Sequence, residues 1–262
     1  MNLITVKGIV VRSVDYGERD KILSIYTDEL GLITVTASGS RSLKSRSLVA
    51  TEMFCYSQYI LAMRKDRYSL REVDLIESFF DLRSDIEKMT LAGYVCEVIS
   101  HVGTENMPDL PLLRLTLNTL YAIAKEKMPR AIIKGAFEMR AASILGFSPE
   151  LAACSACGEE GTGVLLDIMN GCVTCEACRR KMEGSVEEVY DPAHPTITAL
   201  LTDAARTALF FVIKSPLEKF LSFKLEREED IASFSYAAEK YLINHLETSF
   251  KSLEFYHELL SL

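Results

Sequence analysis

The stretch "CSACGEEGTGVLLDIMNGCVTCEAC", Cys154 to Cys178, carries five cysteines, one more than a tetrahedral metal site takes. Cys154-x2-Cys157 and Cys175-x2-Cys178 are separated by 17 residues, within the spacing of a zinc ribbon. Two residues between thiolates let one tight turn aim both sulfurs at a single ion. Gly158 suits the turn after the first pair, and Asn170-Gly171 suits the turn of an intervening hairpin. Cys172-x2-Cys175 is the other possible second pair, with a gap of 14 residues. The favoured ligands are Cys154, Cys157, Cys175 and Cys178, with Cys172 spare. Four thiolates close the coordination shell, so the expected Zn2+ is structural. The one enzymatic hint, "HLE" at 245–247, offers the His-x-Glu of a zinc deaminase. No proline precedes either Cys pair, however, and the chain order is reversed.

The second group of chemistry-bearing residues is basic. Arg41, Lys44 and Arg46 lie in "SGSRSLKSRS", and no acid occurs between Gly31 and Ala50. Such a loop can follow a phosphate backbone, with its hydroxyls donating to phosphate oxygens. Arg64, Lys65, Arg67 and Arg71 surround a later turn, and Lys7, Arg12, Arg19 and Lys21 fall in the first two strands. Tyr16, Tyr26, Tyr56, Tyr59 and Tyr68 are interleaved with them. A positive groove with stacking aromatics is how small barrels hold single strands. These eleven cations form the expected DNA-binding set. His101 and His245 fall on apolar helical faces and are expected in the core; His194 and His257 carry no motif. The chain has no Ser/His/Asp set, phosphate loop or dinucleotide glycine pattern.

Three kinds of segment must position these residues. Residues 1–80 read as β structure: "LITVKGIVVR", "DKILSIYTD", "GLITVTASG", "YSQYILAMR" and "YSLREVDLIES" are short strands rich in β-branched and aromatic residues. Gly8 suggests a bulge or a bend, and Gly31 a left-handed turn in "DELG". Five strands in about 75 residues fit an OB-fold or an SH3-like barrel. Residues 81–150 read as helices. Met89, Ala92, Cys96 and Ile99 recur at helical spacing, and Pro111 and Pro129 sit in first-turn positions of two more helices. The cysteine segment occupies 151–185. Helices resume over 186–262, from "TALLTDAARTALFFVI" to a last helix with Ile231, Phe234, Ala238, Tyr241, Leu242, His245 and Ser249 on one face.

The formal net charge is −8 over 262 residues, unevenly spread. Residues 1–80 hold 11 Lys and Arg against 10 Asp and Glu, whereas residues 151–262 hold 10 against 18. The acidic balance of the whole chain therefore does not exclude nucleic-acid binding by its first part. Lys7 arrives too soon for a signal-peptide core, and "ALFFVI" at 208–213 is far shorter than a membrane span. A cytosolic setting follows as the expectation, where thiols stay reduced and favour metal over disulfides.

Taken together, "GIVVRSVDYGERDKILSIYTDELGLITVTASGSRSLKSR", the cysteine segment and "YLINHLETSFKSLEFYHELL" resemble the RecO family of bacterial recombination mediators over essentially the full length. The family's ribbon hairpin usually carries Gly-Gly, where this chain has Gly171-Cys172. The resemblance implies an α+β multidomain fold: an N-terminal OB-fold β-barrel and a C-terminal helical domain with an inserted four-cysteine zinc ribbon. It implies a non-enzymatic, nucleoid-associated cytoplasmic protein that binds single- and double-stranded DNA and anneals complementary strands. With RecR it would help RecA replace single-strand binding protein (SSB), whose acidic C-terminal tail it would also engage. It places the DNA role on Arg41, Lys44 and Arg46. For the tail it implies an apolar dent with a basic rim in the helical region. No membrane or small-molecule substrate is expected. The competing reading from the residues is a zinc-ribbon interaction scaffold with no direct DNA role.

Overall fold

A computed structural model describes residues 2–42, 47–185 and 197–261. Five strands open the chain: β1 (Asn2–Tyr16), β2 (Asp20–Thr27), β3 (Gly31–Ala37), β4 (Tyr56–Arg64) and β5 (Arg67–Glu77). They close into a barrel in the order β1-β2-β3-β5-β4. All neighbours are antiparallel except β3 and β5, which pair in parallel through Val35 with Tyr68 and Thr36 with Ser69. This five-stranded Greek-key order is that of an OB-fold and settles the choice against an SH3-like barrel. Alternation fills the interior: Val6, Val10, Leu23, Ile25, Ile33, Val35, Tyr59 and Leu61 are all buried there. Each such aliphatic side chain contributes roughly 1.5–3 kcal/mol when fully buried.

Closure rests on β1, which pairs with β4 over Asn2–Ile9 and with β2 from Gly8 to Tyr16. Gly8 lies in both ladders. It is not the bulge, because the register slips between Val10 and Arg12 instead. A Cβ at Gly8 would stand 2.8 Å from the Tyr26 carbonyl oxygen, so glycine serves close strand approach here. The turns at Gly17 (φ 61°) and Gly31 (φ 67°) are left-handed, as their sequence context suggests.

The chain divides into two compact units, residues 1–125 with 250–262, and residues 126–249. Element type alone would cut it at 80, 150 and 185; packing cuts it elsewhere. In the first unit the barrel is joined by α1 (Ile86–Val102), α2 (Leu110–Lys125) and α7 (Lys251–Leu260). The Asp85 carboxylate caps α1 by accepting from the Glu87 and Lys88 N–H groups, an arrangement worth about 1 kcal/mol. Ala92, Cys96 and Ile99 are buried as expected, but Met89 is 41% exposed. The last helix is two: α6 (Glu228–Leu246) stops at Glu247, whose left-handed φ of 50° turns the chain, and Ser249 lies beyond it. Helix α7 packs on α1, with Phe250 edge-on to Tyr94 and Ser252 donating to the Glu97 carboxylate.

The second unit holds α3 (Arg130–Ile144), α5 (Asp203–Lys214) and α6, with a four-stranded sheet of order β6-β8-β7-β9. The strands are β6 (Glu150–Cys154), β7 (Gly163–Asp167), β8 (Cys172–Cys175) and β9 (Thr198–Leu200), and α4 (Glu176–Ser185) follows β8. The residues "TAL" at 198–200 are thus a strand, not the start of a helix. Thr202 begins α5 by accepting from the Ala205 N–H, and the residues before it pair with β7. Pro129 is the cap residue of α3 rather than a first-turn residue.

Helices α3 and α6 enclose a charged cluster. The Lys134 ammonium donates to both oxygens of Glu138 (2.9 and 3.0 Å) and to Glu239 (2.8 Å), and Glu138 is fully buried. Removing the cation takes the neutralising charge from two carboxylates. Lys134→Ala should cost roughly 3–5 kcal/mol in urea unfolding, whereas Lys134→Met combined with Glu138→Leu should cost much less.

Candidate metal centre and nucleic-acid interface

The four sulfurs of Cys154, Cys157, Cys175 and Cys178 lie within 4.8 Å of one another. Two strand ends bring them together. Cys154 ends β6 and Cys175 ends β8, while Cys157 and Cys178 follow on the turn and on the first turn of α4. Gly158 (φ 76°) bends the first knuckle, its N–H donating to the Cys154 carbonyl at 2.8 Å. The hairpin between β7 and β8 is pinned by Asn170, whose N–H and amide group both bond the Asp167 carboxylate. Arg206 of α5 ties the ribbon down by donating to the carbonyls of Leu151 and Gly161.

A tetrahedral four-thiolate site with metal–sulfur bonds of about 2.3 Å needs sulfurs about 3.8 Å apart. Cys157 and Cys175 are 3.8 Å apart. The Cys175 N–H points at the Cys154 sulfur (3.2 Å) and, with the N–H groups of Cys157 and Ala156, holds that thiol down to about 6. Cys178 faces the sulfurs of Cys175 and Cys157 and is pushed up to about 12. Four sulfurs this close ionise together only beside a cation. The donor set therefore fits one metal ion. Cys172 is outside the set, at the start of β8 opposite Asp167. His245 is no ligand partner: its Nδ1 bonds the Tyr241 carbonyl and its ring packs between Tyr241 and Phe147. His101, expected inside, is exposed at the end of α1.

The expected DNA-binding cations separate into three groups. Lys7, Arg12, Arg19, Arg41, Arg64, Lys65, Arg67 and Arg71 are exposed. Lys44 and Arg46 lie outside the described residues. Lys21 is corrected: it is 5% exposed, with its ammonium on the Glu52 carboxylate, so it is not available to a phosphate. Its position alternates with Leu23 and Ile25, which face the interior.

Arg64 and Arg67 are direct cross-strand partners flanking the Lys65-Asp66 turn, both of whose residues are left-handed (φ 49° and 56°). Like charges set opposite one another disfavour a hairpin unless an anion lies between them. Arg41 and Arg19 meet at the other turn, where the Arg41 N–H donates to the Arg19 carbonyl at 3.0 Å. Lys7 and Arg12 stand on β1 opposite Gln58 and Ser24. Arg71 lines a groove of about 530 Å³ beside Ser38 and Ser47, but Glu72 and Asp74 line it too, so that groove is not simply positive.

The tyrosines divide differently from expectation. Tyr16 is 60% exposed and Tyr56 half-buried, whereas Tyr26, Tyr59 and Tyr68 belong to the core. Burial and the Asp109 carboxylate push Tyr26 up to about 12, and burial raises Tyr59 further. The barrel thus offers one well-exposed stacking ring rather than five.

A groove of about 520 Å³, which no sequence motif marks, lies between the start of α3 and residues 221–226. Met128, Ile132, Phe223 and Leu225 line it, together with Lys127, Lys224 and one acid, Glu226. Alternation of apolar and charged residues in "LSFKLE" was its signal.

Residues 1–79 match the family model described as recombination protein O N terminal, and residues 83–254 the one described as recombination protein O C terminal. The chain is 30% identical to a DNA repair protein RecO of Acetivibrio thermocellus over 257 residues, covering 97% of this chain and 96% of that one. It is 26% identical to a protein of the same name from Caldicellulosiruptor saccharolyticus over 242 residues, 89% of this chain and 98% of the other. With that of Symbiobacterium thermophilum it shares 32% identity over 191 residues, covering 71% and 75% of the two chains. Among the described residues no helix is long and apolar enough to cross a membrane.

The ligand geometry gives a direct expectation. Cys175→Ser should drop the metal content from about one ion per chain to near zero and lower the melting temperature by about 10 °C, because metal binding and folding are coupled. Cys172→Ser should keep both, as elemental analysis and thermal unfolding would show.

Proposed function

The chain belongs to the RecO family of DNA repair proteins, and from that premise we propose that it is a non-enzymatic mediator of repair and recombination in the bacterial cytoplasm, acting at the nucleoid. It binds single- and double-stranded DNA, anneals complementary strands and, with RecR, helps RecA displace SSB. The observation that carries the DNA reading is the β4–β5 hairpin tip, where Arg64, Lys65 and Arg67 crowd together without an interleaved acid except Asp66. Annealing requires no nucleophile or proton transfer. Two anionic strands repel, and a cationic surface lowers that cost by neutralising phosphates and releasing counterions.

Lys7, Arg12, Arg19 and Arg71 extend the surface on the barrel, and Lys44 and Arg46, outside the described residues, follow Arg41 in sequence. The ion proposed for the four cysteines is Zn2+, which suits a tetrahedral all-thiolate set. With four protein ligands the site has no open position, so its role is to hold the ribbon. The acidic SSB tail is assigned to the groove beside Phe223, where Lys127 and Lys224 outnumber Glu226 and complement its charge.

Changing Arg64, Lys65 and Arg67 together to Ala should reduce the slope of log affinity against log salt for an oligothymidylate by about 2, from roughly 0.7 per phosphate contact. An unchanged slope sinks the hairpin assignment. Lys224→Glu should weaken a fluorescent SSB-tail peptide at least about fivefold while leaving oligothymidylate binding as it was. Equal peptide affinity counts against the groove.

A further inference from the structure

The side chain of Arg41 lies along the β1–β2 turn at the surface. Its Nη1 donates to the Gly17 carbonyl (2.8 Å) and the Glu18 carbonyl (3.2 Å), and its Nη2 meets the Asp15 carboxylate at 3.1 Å. Its backbone N–H donates to the Arg19 carbonyl at 3.0 Å. The opposite arm of the same connection is also laced down, because the Asp20 carboxylate accepts from the Gly39 N–H at 2.8 Å. The Ser42 N–H then bonds the Gly39 carbonyl, closing the turn on itself. Residues 38–42, which lead into the basic stretch, are thus fastened to the β1–β2 turn by groups at both ends.

We propose that Arg41 is a positioning residue, and that its guanidinium, seated on Asp15 and the Gly17 and Glu18 carbonyls, holds residues 38–42 against the β1–β2 turn rather than contacting phosphate. This rests on the DNA-binding reading of the barrel and assigns one of its cations a different task. A guanidinium presents five N–H donors in a fixed fork, and three contacts here already engage it in the fold. A lysine would keep the charge but could not span two carbonyls and a carboxylate in that geometry. Asp15 decides between the two roles. If Arg41 contacts phosphate, Asp15 is a competing anion and its neutralisation strengthens binding. If Arg41 positions residues 38–42, Asp15 is half of the fastening and its neutralisation weakens binding.

The experiment compares the full chain with Arg41→Lys, Arg41→Ala and Asp15→Asn. Each is titrated with a fluorescent oligothymidylate over a range of salt, and amide hydrogen exchange over residues 38–42 is followed without DNA. The expected result is that all three variants bind about three- to tenfold more weakly, the loss of one or two hydrogen bonds' worth of order. Their salt slope stays that of wild type, their melting temperatures stay unchanged, and exchange at the Gly39, Arg41 and Ser42 amides is faster. Tighter binding by Asp15→Asn, wild-type binding by Arg41→Lys, or a slope reduced by about 0.7 in Arg41→Ala overturns the proposal in favour of a direct phosphate contact. Unaltered exchange in Arg41→Lys overturns it as well. If the wild-type chain does not bind the oligonucleotide at all, the DNA reading fails, and the exchange measurement still decides the fastening.

Discussion

A five-stranded sheet becomes a barrel only if one strand pairs with both of its edges. Here that strand is β1, and the shared residues are Gly8 and Ile9, which belong to the ladders with both β2 and β4. The strands approach so closely at Gly8 that any side chain would strike the Tyr26 carbonyl and Ile25. Closure fixes which residues are inside. It fills the interior with aliphatic side chains and leaves the cations of β1, of the β1–β2 turn and of the β4–β5 hairpin on the outside. The candidate interface is therefore a consequence of how β1 is shared.

Charge follows the same economy. The first 80 residues are nearly neutral, so a phosphate surface depends on placement rather than on excess. Lys21 is buried against the half-exposed Glu52 carboxylate, Arg41 is turned onto a carbonyl pair, and the hairpin tip keeps its cations facing outward. In the second unit three cations serve the fold: Lys134 inside the α3–α6 packing, Arg140 on the last carbonyls of α5, and Arg206 on the ribbon. The ribbon itself carries more acid than base, and its four gathered sulfurs are enough to fill a tetrahedral shell.

Local patterns revealed what local physics decides. The glycines at 17 and 31 marked left-handed turns, and cysteine spacing singled out four sulfurs that the fold gathers within one coordination sphere. Strand alternation also held a signal that composition obscured: Lys21 alternates with Leu23 and Ile25, which places it on the interior face. Other features had no local signal. Tyr26 is covered by a loop more than eighty residues away, whose Asp109 carbonyl lies near its hydroxyl. The break between α6 and α7 falls at Glu247, a residue that ordinarily continues a helix, and contacts made after it, Phe250 against Tyr94 and Ser252 on Glu97, reward it. Strand β9 is three residues of ordinary helix-forming composition, captured by the free edge of β7.

The central claim is that nucleic acid is held by the barrel and not by the ribbon or the helical unit. Lysine acylation mapped by mass spectrometry, with and without saturating oligothymidylate on the full chain, tests it most directly. The account predicts protection of Lys7 and Lys65 and unchanged labelling of Lys181, Lys219 and Lys224. Protection confined to Lys181, Lys219 or Lys224, with Lys7 and Lys65 still labelled, would contradict it.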